Sequence, residues 1–430
     1  MNTHARPAGA AGNDVAGEVG PWSARPLSIA GWTAGLLAVG AFVVAILRQW
    51  QLTVVDRDQQ LHLLETVGGG HIYGALAEGG QTSGPGYAVL APVYVLARHW
   101  DDPHLAFATA GLACLVPLAA ATIWALRSVG VPGRSPLELL ALAAVVGGVP
   151  VLSCYTEALH PADVLALACV LAAYAAALRG RVGWSAVLLG FGLATRQWVL
   201  VAVAVIAVLE RGRARLVIIG GSIGAFAVVV GPFLLADRSG SMSALAARLT
   251  IKRAVALPGT LPLSGAPLYL ISRYLPLALA YVVCRWLIER RGALTPEVAA
   301  AALAVVCSLR ALVDPASFLY YLAPGYAFLV VLEARHWRRV VALGVGSIAF
   351  LVPKYHFQES YMRFIEEGTR TSLSYVVARI SYARATLGTV LFLAPVVWGI
   401  VRLERLTRRR PDGVGVPEPG GSATPAEGHG

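Results

Sequence analysis

What most constrains this chain is the recurrence of long apolar blocks separated by short charged turns. About 20 consecutive apolar residues are enough to cross the hydrocarbon core of a bilayer as a helix. A helix satisfies its own backbone polar groups, which lipid cannot do. The sequence therefore predicts an all-α integral membrane protein, a polytopic helical bundle. Composition points the same way. Hydrophobic residues make up 57% of the chain and charged residues 14%, whereas a soluble domain carries about a quarter charged residues.

The pattern divides into three parts. Residues 1–27 are polar and rich in Gly and Ala, and read as a disordered cytoplasmic N-terminus. The apolar block that follows is too long for a secretory signal and has no obvious cleavage site. Residues 28–401 read as one multi-spanning membrane domain, and 402–430 as a basic, then disordered, cytoplasmic tail. The first span is placed at 28–47. Others follow at about 103–126, 136–153, 161–178, 182–195, 197–209, 214–236, 267–288, 296–313, 317–333, 338–352 and 385–401. That makes about twelve crossings. The apolar stretch Gly86 to Ala97 is too short to span, and is expected to lie in the interface or to dip in and return.

The turns fall into two alternating sets. One is short and arginine-rich: Arg127 and Arg134; Arg179 and Arg181; Arg211, Arg213 and Arg215; Arg290 and Arg291; Arg335, Arg338 and Arg339; Arg405 and Arg408 to Arg410. The positive-inside rule assigns this set, and with it both termini, to the cytoplasm. The other set contains long loops at about 48–102, 237–266 and 353–384, and the turns around His160, Arg196 and Asp314. It is rich in Asp, Glu, His, Tyr and Arg, so the residues able to do chemistry gather on the outer face.

The net charge is +11, yet only Lys252 and Lys354 are lysines among the 35 basic residues. A GC-rich genome explains that ratio. So does selection for bidentate phosphate binding, which arginine offers and lysine does not. Because the arginines sit in short turns between spans, nucleic acid is not an expected partner. Arg248, Lys252 and Arg253 form a basic cluster that suits anionic membrane lipids. The five cysteines show no metal-ligand spacing and read as small buried hydrophobes. No metal or other cofactor is expected.

Four constellations on the outer face stand out. Asp56 and Asp58 flank Arg57 just past the first span. Either carboxylate is placed to act as a general base on a hydroxyl, or both are ordinary interfacial charges. Glu157, His160 and Asp163 cluster where one span ends and another begins. Asp163 is equally well read as a partner of the helix dipole. Arg196, followed by Gln197 and Trp198, lies at the apex of an apolar segment, 182–209, that has basic residues at both ends. That segment must enter the membrane and return. An arginine at such depth faces a cavity or partner, or else snorkels to the surface. A lipid phosphate is a natural partner. Arg310 and Asp314 are four apart on one helix and are expected to pair. Tyr320 and Tyr321 follow as an aromatic belt or a sugar-stacking surface. The third outer loop adds His356, among Lys354, Tyr355, Glu359, Tyr361 and Arg363, without a motif.

Taken in order, these segments resemble the polyprenol-phosphate-dependent glycosyltransferases of the GT-C fold, in particular actinobacterial mannosyltransferase-like members. The resemblance extends over about 27–332. It rests on an Asp after the first span (Asp56, with Asp58 in reserve), a Tyr further along that loop (His71-Ile-Tyr73), and the His160-Pro-Ala-Asp163 helix start. A small-residue helix ending in Arg196-Gln197-Trp198 and the run Arg310 to Tyr321 complete it. Gly84-Pro85-Gly86-Tyr87 stands where the family has Tyr-Pro-Pro, and the aromatic residue that usually follows the Asp is missing.

The resemblance implies a GT-C-like bundle in a bacterial plasma membrane with an extracytoplasmic site. It implies transfer of a sugar, mannose favoured, from a polyprenyl phosphate to a glycolipid or glycan of the cell envelope. Asp56 or Asp58 would be the base of a metal-independent inverting reaction. Arg196, His160 and Arg310 would bind the donor phosphate. Tyr73, Glu157, Asp163, Gln197, Trp198, Asp314, Tyr320, Tyr321 and His356 would line the substrate site. Two other classes remain open at this point: a transporter or lipid flippase, and a scaffold that kept the fold without activity.

Overall fold

A computed structural model describes principally residues 113–131, 149–156, 160–236, 266–289, 295–313, 319–349 and 393–407. The described residues are helices and the turns between them, with no strand among them. In chain order the helices are α1 (Leu115–Ser128), α2 (Val149–Thr156), α3 (Pro161–Leu178), α4 (Val182–Thr195), α5 (Val199–Leu209) and α6 (Gly212–Ala236). They continue with α7 (Ala266–Glu289), α8 (Pro296–Val313), a 3₁₀ turn (Leu319–Leu322), α9 (Ala323–Glu333), α10 (Trp337–Ala349) and α11 (393–407).

Three of these helices, α3, α6 and α8, contain stretches long and apolar enough to cross a membrane. Shorter apolar helices (α1, α4, α5 and α9) pack around them. The first span and the long outer loops lie outside the described residues, and so does any test of the full crossing number.

The centre and the rim of the bundle differ in burial. In α3 83% of the apolar stretch is buried and in α8 78%, against 17% in α6. The first two helices are therefore core elements, and α6 is peripheral. Leu216, Ile223, Val228 and Leu235 of α6 point outward, as expected of a helix that meets lipid tails. The inner face of α6 meets α4 at small residues. A side chain added at Gly190 would run into the Ser222 carbonyl oxygen and the Ala225 methyl. Close backbone approach through small residues is how membrane helices gain packing without a hydrophobic driving force between them.

Helix ends follow local chemistry. Pro161 opens α3, where a missing N–H costs nothing, and Asp163 sits in the first turn. At the other end Gly180 adopts φ 68°. Arg181 N–H donates to Ala176 O at 2.8 Å and Gly180 N–H to Ala177 O at 2.9 Å. This is a Schellman closure, which needs a residue at ease in the left-handed region.

One cross-link ties the two core helices together. The Tyr174 hydroxyl near the end of α3 donates to the Pro296 carbonyl at the start of α8, at 2.6 Å. The end of α3 thus meets the start of α8, and the bundle has two chemically distinct ends. One end gathers arginine-rich turns. Arg335 Nη2 donates to Val129 O at 2.7 Å and its Nη1 pairs with Glu297 at 3.1 Å. Arg179 Nε donates to Ser128 Oγ at 3.1 Å. Fully buried Glu333 is shared by Arg339 and Arg402 and accepts from Trp398 Nε1 at 3.2 Å. The opposite end carries His160, Arg196, Arg310 and Tyr321.

Helix α11 runs to 407, past the boundary at 401 drawn from hydropathy. The reason is tertiary. Leu403 is buried in the bundle and Arg402 is held by Glu333, so charged residues continue the helix beyond its apolar block. The expected span at 317–333 is likewise split, with a 3₁₀ turn before α9, where Pro324 occupies the first helical turn. Proline cannot extend a helix on its N-terminal side without losing a hydrogen bond.

Candidate functional site

The site is built at the turn between α4 and α5. Helix α4 ends at Thr195, Arg196 is extended (φ −150°, ψ 129°), and Trp198 starts α5. Val199 N–H returns to Arg196 O at 3.2 Å, which closes the reversal. With 14 and 11 residues, these helices reach only about 21 and 16 Å at 1.5 Å per residue. A hydrocarbon core is about 30 Å thick. Each helix is therefore shorter than that core is thick.

At the apex, Arg196 is largely enclosed, with its side chain 13% exposed, rather than extended to the surface. Its Nη2 lies 2.9 Å from Asp163 Oδ2 and 3.2 Å from His160 Nδ1. The Trp198 indole N–H donates to Asp163 Oδ1 at 3.3 Å. Both oxygens of Asp163 are thus engaged by the apex of the α4–α5 hairpin. The two elements cannot shift past one another without breaking a charge-assisted bond.

His160 is positioned by its backbone. It caps α3 ahead of Pro161 with φ −103° and ψ 68°, because the proline ring disfavours helical angles in the residue before it. Its N–H donates to Cys154 O at 2.6 Å and its carbonyl accepts from Asp163 N–H at 3.1 Å. The backbone at His160 is therefore anchored between the end of α2 and the start of α3.

A second feature lies at the same end of the bundle. The Arg310 guanidinium stands over the Tyr321 ring, 4.3 Å from its centroid, a cation–π contact. The 3₁₀ turn bearing Tyr321 packs against α2, the helix that leads into His160. This end therefore carries two groups, His160, Asp163, Arg196 and Trp198 in one and Arg310 and Tyr321 in the other. Gln197 is exposed between its two enclosed neighbours and takes no part in the Asp163 contacts. Asp56, Asp58, Tyr73, Glu157, Asp314 and His356, with the side chain of Tyr320, lie outside the described residues.

Of the residues expected to line the substrate site, Asp163 pairs with Arg196 and Trp198 donates to Asp163. The buried Glu333 network at the opposite end was not anticipated at all. Its signal is in the sequence: a lone Glu closes the apolar run of α9, six residues before Arg339. What joins it to Arg402 and Trp398 is the packing of α11. Among the described residues no group of three or more His, Cys, Asp or Glu side chains is placed to hold a metal ion.

No family model matches the chain. No curated protein matches it either. A functional reading therefore rests on the chain's own residues and on the geometry of this apex.

Proposed function

We propose that the protein is a membrane glycosyltransferase that transfers a sugar, mannose favoured, from a polyprenyl phosphate to a glycolipid or glycan of the cell envelope. The observation that carries this reading is Arg196 at the apex of the short apolar α4–α5 hairpin, paired with Asp163 and beside His160. A guanidinium has five N–H donors in a rigid fork, so it can hold a carboxylate and a phosphate together. An arginine set within a membrane bundle suits a lipid phosphate that enters sideways from the bilayer. The arginine-rich end of the bundle would face the cytoplasm by the positive-inside rule, and the Arg196 end would face outward.

In the reaction the acceptor hydroxyl oxygen attacks the anomeric carbon of the donor. The bond from that carbon to the phosphate oxygen breaks, and polyprenyl phosphate leaves with the electron pair. The acceptor proton passes to Asp56, or to Asp58, as general base. One displacement inverts the anomeric centre. Arg196 and His160 stabilise the charge that develops on the departing phosphate, and Arg310 contributes from the same end of the bundle.

The test is a transfer assay in membranes with radiolabelled polyprenyl-phosphate mannose and envelope extract as acceptor. Wild type, Asp56→Asn, Asp58→Asn and Arg196→Ala are compared at matched expression. The reading requires transfer by wild type, loss in Arg196→Ala and loss in one of the two Asp variants. Absence of transfer by wild type across a panel of lipid-phosphate sugars would overturn it and leave lipid transport as the leading function.

A further inference from the structure

We propose that the groove between the first turns of α4 and α6 binds an anionic phospholipid, with its phosphate at Arg181, Arg211 and Arg213 and an acyl chain along the apolar flank beyond them. This surface lies at the arginine-rich end of the bundle, away from Arg196, and the inference is independent of the reaction proposed there. Two contacts set the helices side by side. A side chain added at Gly221 would meet the Ala186 methyl, and one added at Gly190 would meet the Ser222 carbonyl oxygen and the Ala225 methyl. Later residues of α4 thus meet later residues of α6, so the two helices run parallel and begin at the same end. Four residues back from the Ala186–Gly221 contact, Val182 stands about level with Val217. The turns that lead into the two helices, Arg179 to Arg181 and Glu210 to Arg213, therefore lie at the same edge of the pair.

Arg181, Arg211 and Arg213 are exposed, and their side chains take part in none of the ion pairs among the described residues. Their neighbours are committed. Arg179 donates to Ser128 Oγ, and Arg215 donates to the carbonyls of Ala207 and Glu210. Glu210 is the only acid in the two turns, so they carry net positive charge. Directly beyond them the surface becomes apolar, with Trp184 64% exposed and Leu216 69%. With about 100° between successive residues, Gly183 and Val187 of α4 and Val217 and Gly224 of α6 border one outward groove, whose floor is the Ala186–Gly221 contact. A side chain added at Gly183 or Gly224 would meet nothing within 4 Å, so the groove is open.

A phosphate with an apolar body matches both parts of this surface. Arginine meets phosphate with two parallel hydrogen bonds, and basic pockets between membrane helices on the cytoplasmic side hold anionic head groups. The amphipathic indole of Trp184 belongs at head-group level, between the arginines and the apolar flank. An uncharged lipid would leave three guanidinium groups without a counter-charge, and a soluble anion would leave the groove empty.

The test places purified full-length protein in phosphatidylcholine nanodiscs that contain a graded fraction of phosphatidylglycerol brominated on its acyl chains. Quenching of tryptophan fluorescence reads binding, and brominated phosphatidylcholine at the same fraction is the control. Wild type should be quenched at lower doses by the anionic lipid than by the neutral one. An arginine near such a head group contributes about fivefold in affinity, so the Arg181→Gln/Arg211→Gln/Arg213→Gln variant should bind the anionic lipid at least about tenfold more weakly. Its melting temperature in phosphatidylcholine should match wild type, since the three side chains have no ion pair to lose. A charge-matched control in the tail, Arg408→Gln/Arg409→Gln/Arg410→Gln, should bind as wild type does. Trp184→Phe should lose the larger part of the quenching that is specific to the anionic lipid.

Equal quenching of wild type by the two lipids overturns the proposal, as does a preference for the anionic lipid that survives removal of Arg181, Arg211 and Arg213. Equal loss in the tail variant overturns it too, because a diffuse positive field would then account for the binding. Undiminished specific quenching in Trp184→Phe overturns the groove as the seat of the lipid, and this variant carries the test should the triple variant fail to fold. Inorganic phosphate that displaces the lipid more than chloride of equal ionic strength does would make free phosphate the ligand and overturn the lipid.

Discussion

Asp163 Oδ2 lies 2.9 Å from Arg196 Nη2 across the gap between the start of α3 and the α4–α5 apex. The two side chains are only 9% and 13% exposed, so the pair is held away from most of the solvent that would otherwise screen it. Removing one member leaves the other charge in place with its attraction gone. Asp163→Ala is expected to cost about 3 kcal/mol. The measurement is a melting curve of the purified protein in detergent, where the midpoint should fall by several degrees. Asp163→Glu should recover part of the loss. An unchanged midpoint in Asp163→Ala would show that the pair contributes nothing to the fold.

Trp198 is 7% exposed and reaches Asp163 through its indole N–H. Trp198→Phe keeps most of the apolar volume and deletes that donor. The expected cost is about 1–2 kcal/mol, because a buried carboxylate oxygen loses a partner. In the transfer assay the variant should show a larger drop in kcat than in donor KM, since Trp198 orients Arg196 rather than touching the lipid. A rise in KM alone would assign Trp198 to donor binding directly.

Gly190 and Gly224 give a matched pair of tests for the α4–α6 contact. A methyl at Gly190 meets backbone oxygen and a neighbouring methyl, whereas at Gly224 it meets nothing within 4 Å. Gly190→Ala should destabilise by about 1–3 kcal/mol through forced separation of the helices. Gly224→Ala should be neutral or slightly stabilising, because alanine favours the helix. Equal melting temperatures for the two variants would contradict the close approach.

Glu333 is fully buried and shared by Arg339 and Arg402 at the end of the bundle remote from Arg196. Glu333→Ala leaves two guanidinium groups without their common counter-charge, and is expected to cost about 3–5 kcal/mol. Because the network lies far from the proposed chemistry, the folded fraction should keep the wild-type donor KM. Loss of donor binding with an intact melting curve would mean that the two ends are coupled.

Much of the helical layout is legible in the sequence. The expected segments 161–178, 182–195 and 296–313 coincide in their bounds with α3, α4 and α8, of which α3 and α8 are long and apolar enough to cross a membrane. Each is an apolar run bounded by Pro, Gly or Arg, and those boundaries are local chemistry. The alternation of arginine-rich turns with His-, Asp- and Tyr-bearing turns is also a property of the one-dimensional pattern. Within the described residues it becomes the two ends of the bundle, because antiparallel helices return like turns to like ends. Where helix ends departed from the pattern, as at α11, the residues concerned were held by partners far along the chain.

The candidate site was legible only as a set of residue types. The sequence put Arg196 at a hairpin apex, and hydropathy was enough for that. It paired Arg310 with Asp314 by helical spacing, a pairing that lies outside the described residues, and it did not reveal that Arg310 stands over Tyr321. It read Asp163 as a substrate residue or a dipole partner; the structure puts it in the first turn of α3, and packing adds its contact with Arg196. Hydropathy and charge spacing act along the chain, so the sequence alone determined a helical membrane bundle with its basic turns at one end. Partners lying 33 and 36 positions apart, Asp163 and His160 against Arg196, are chosen by which helices pack side by side, and only the tertiary structure decides that.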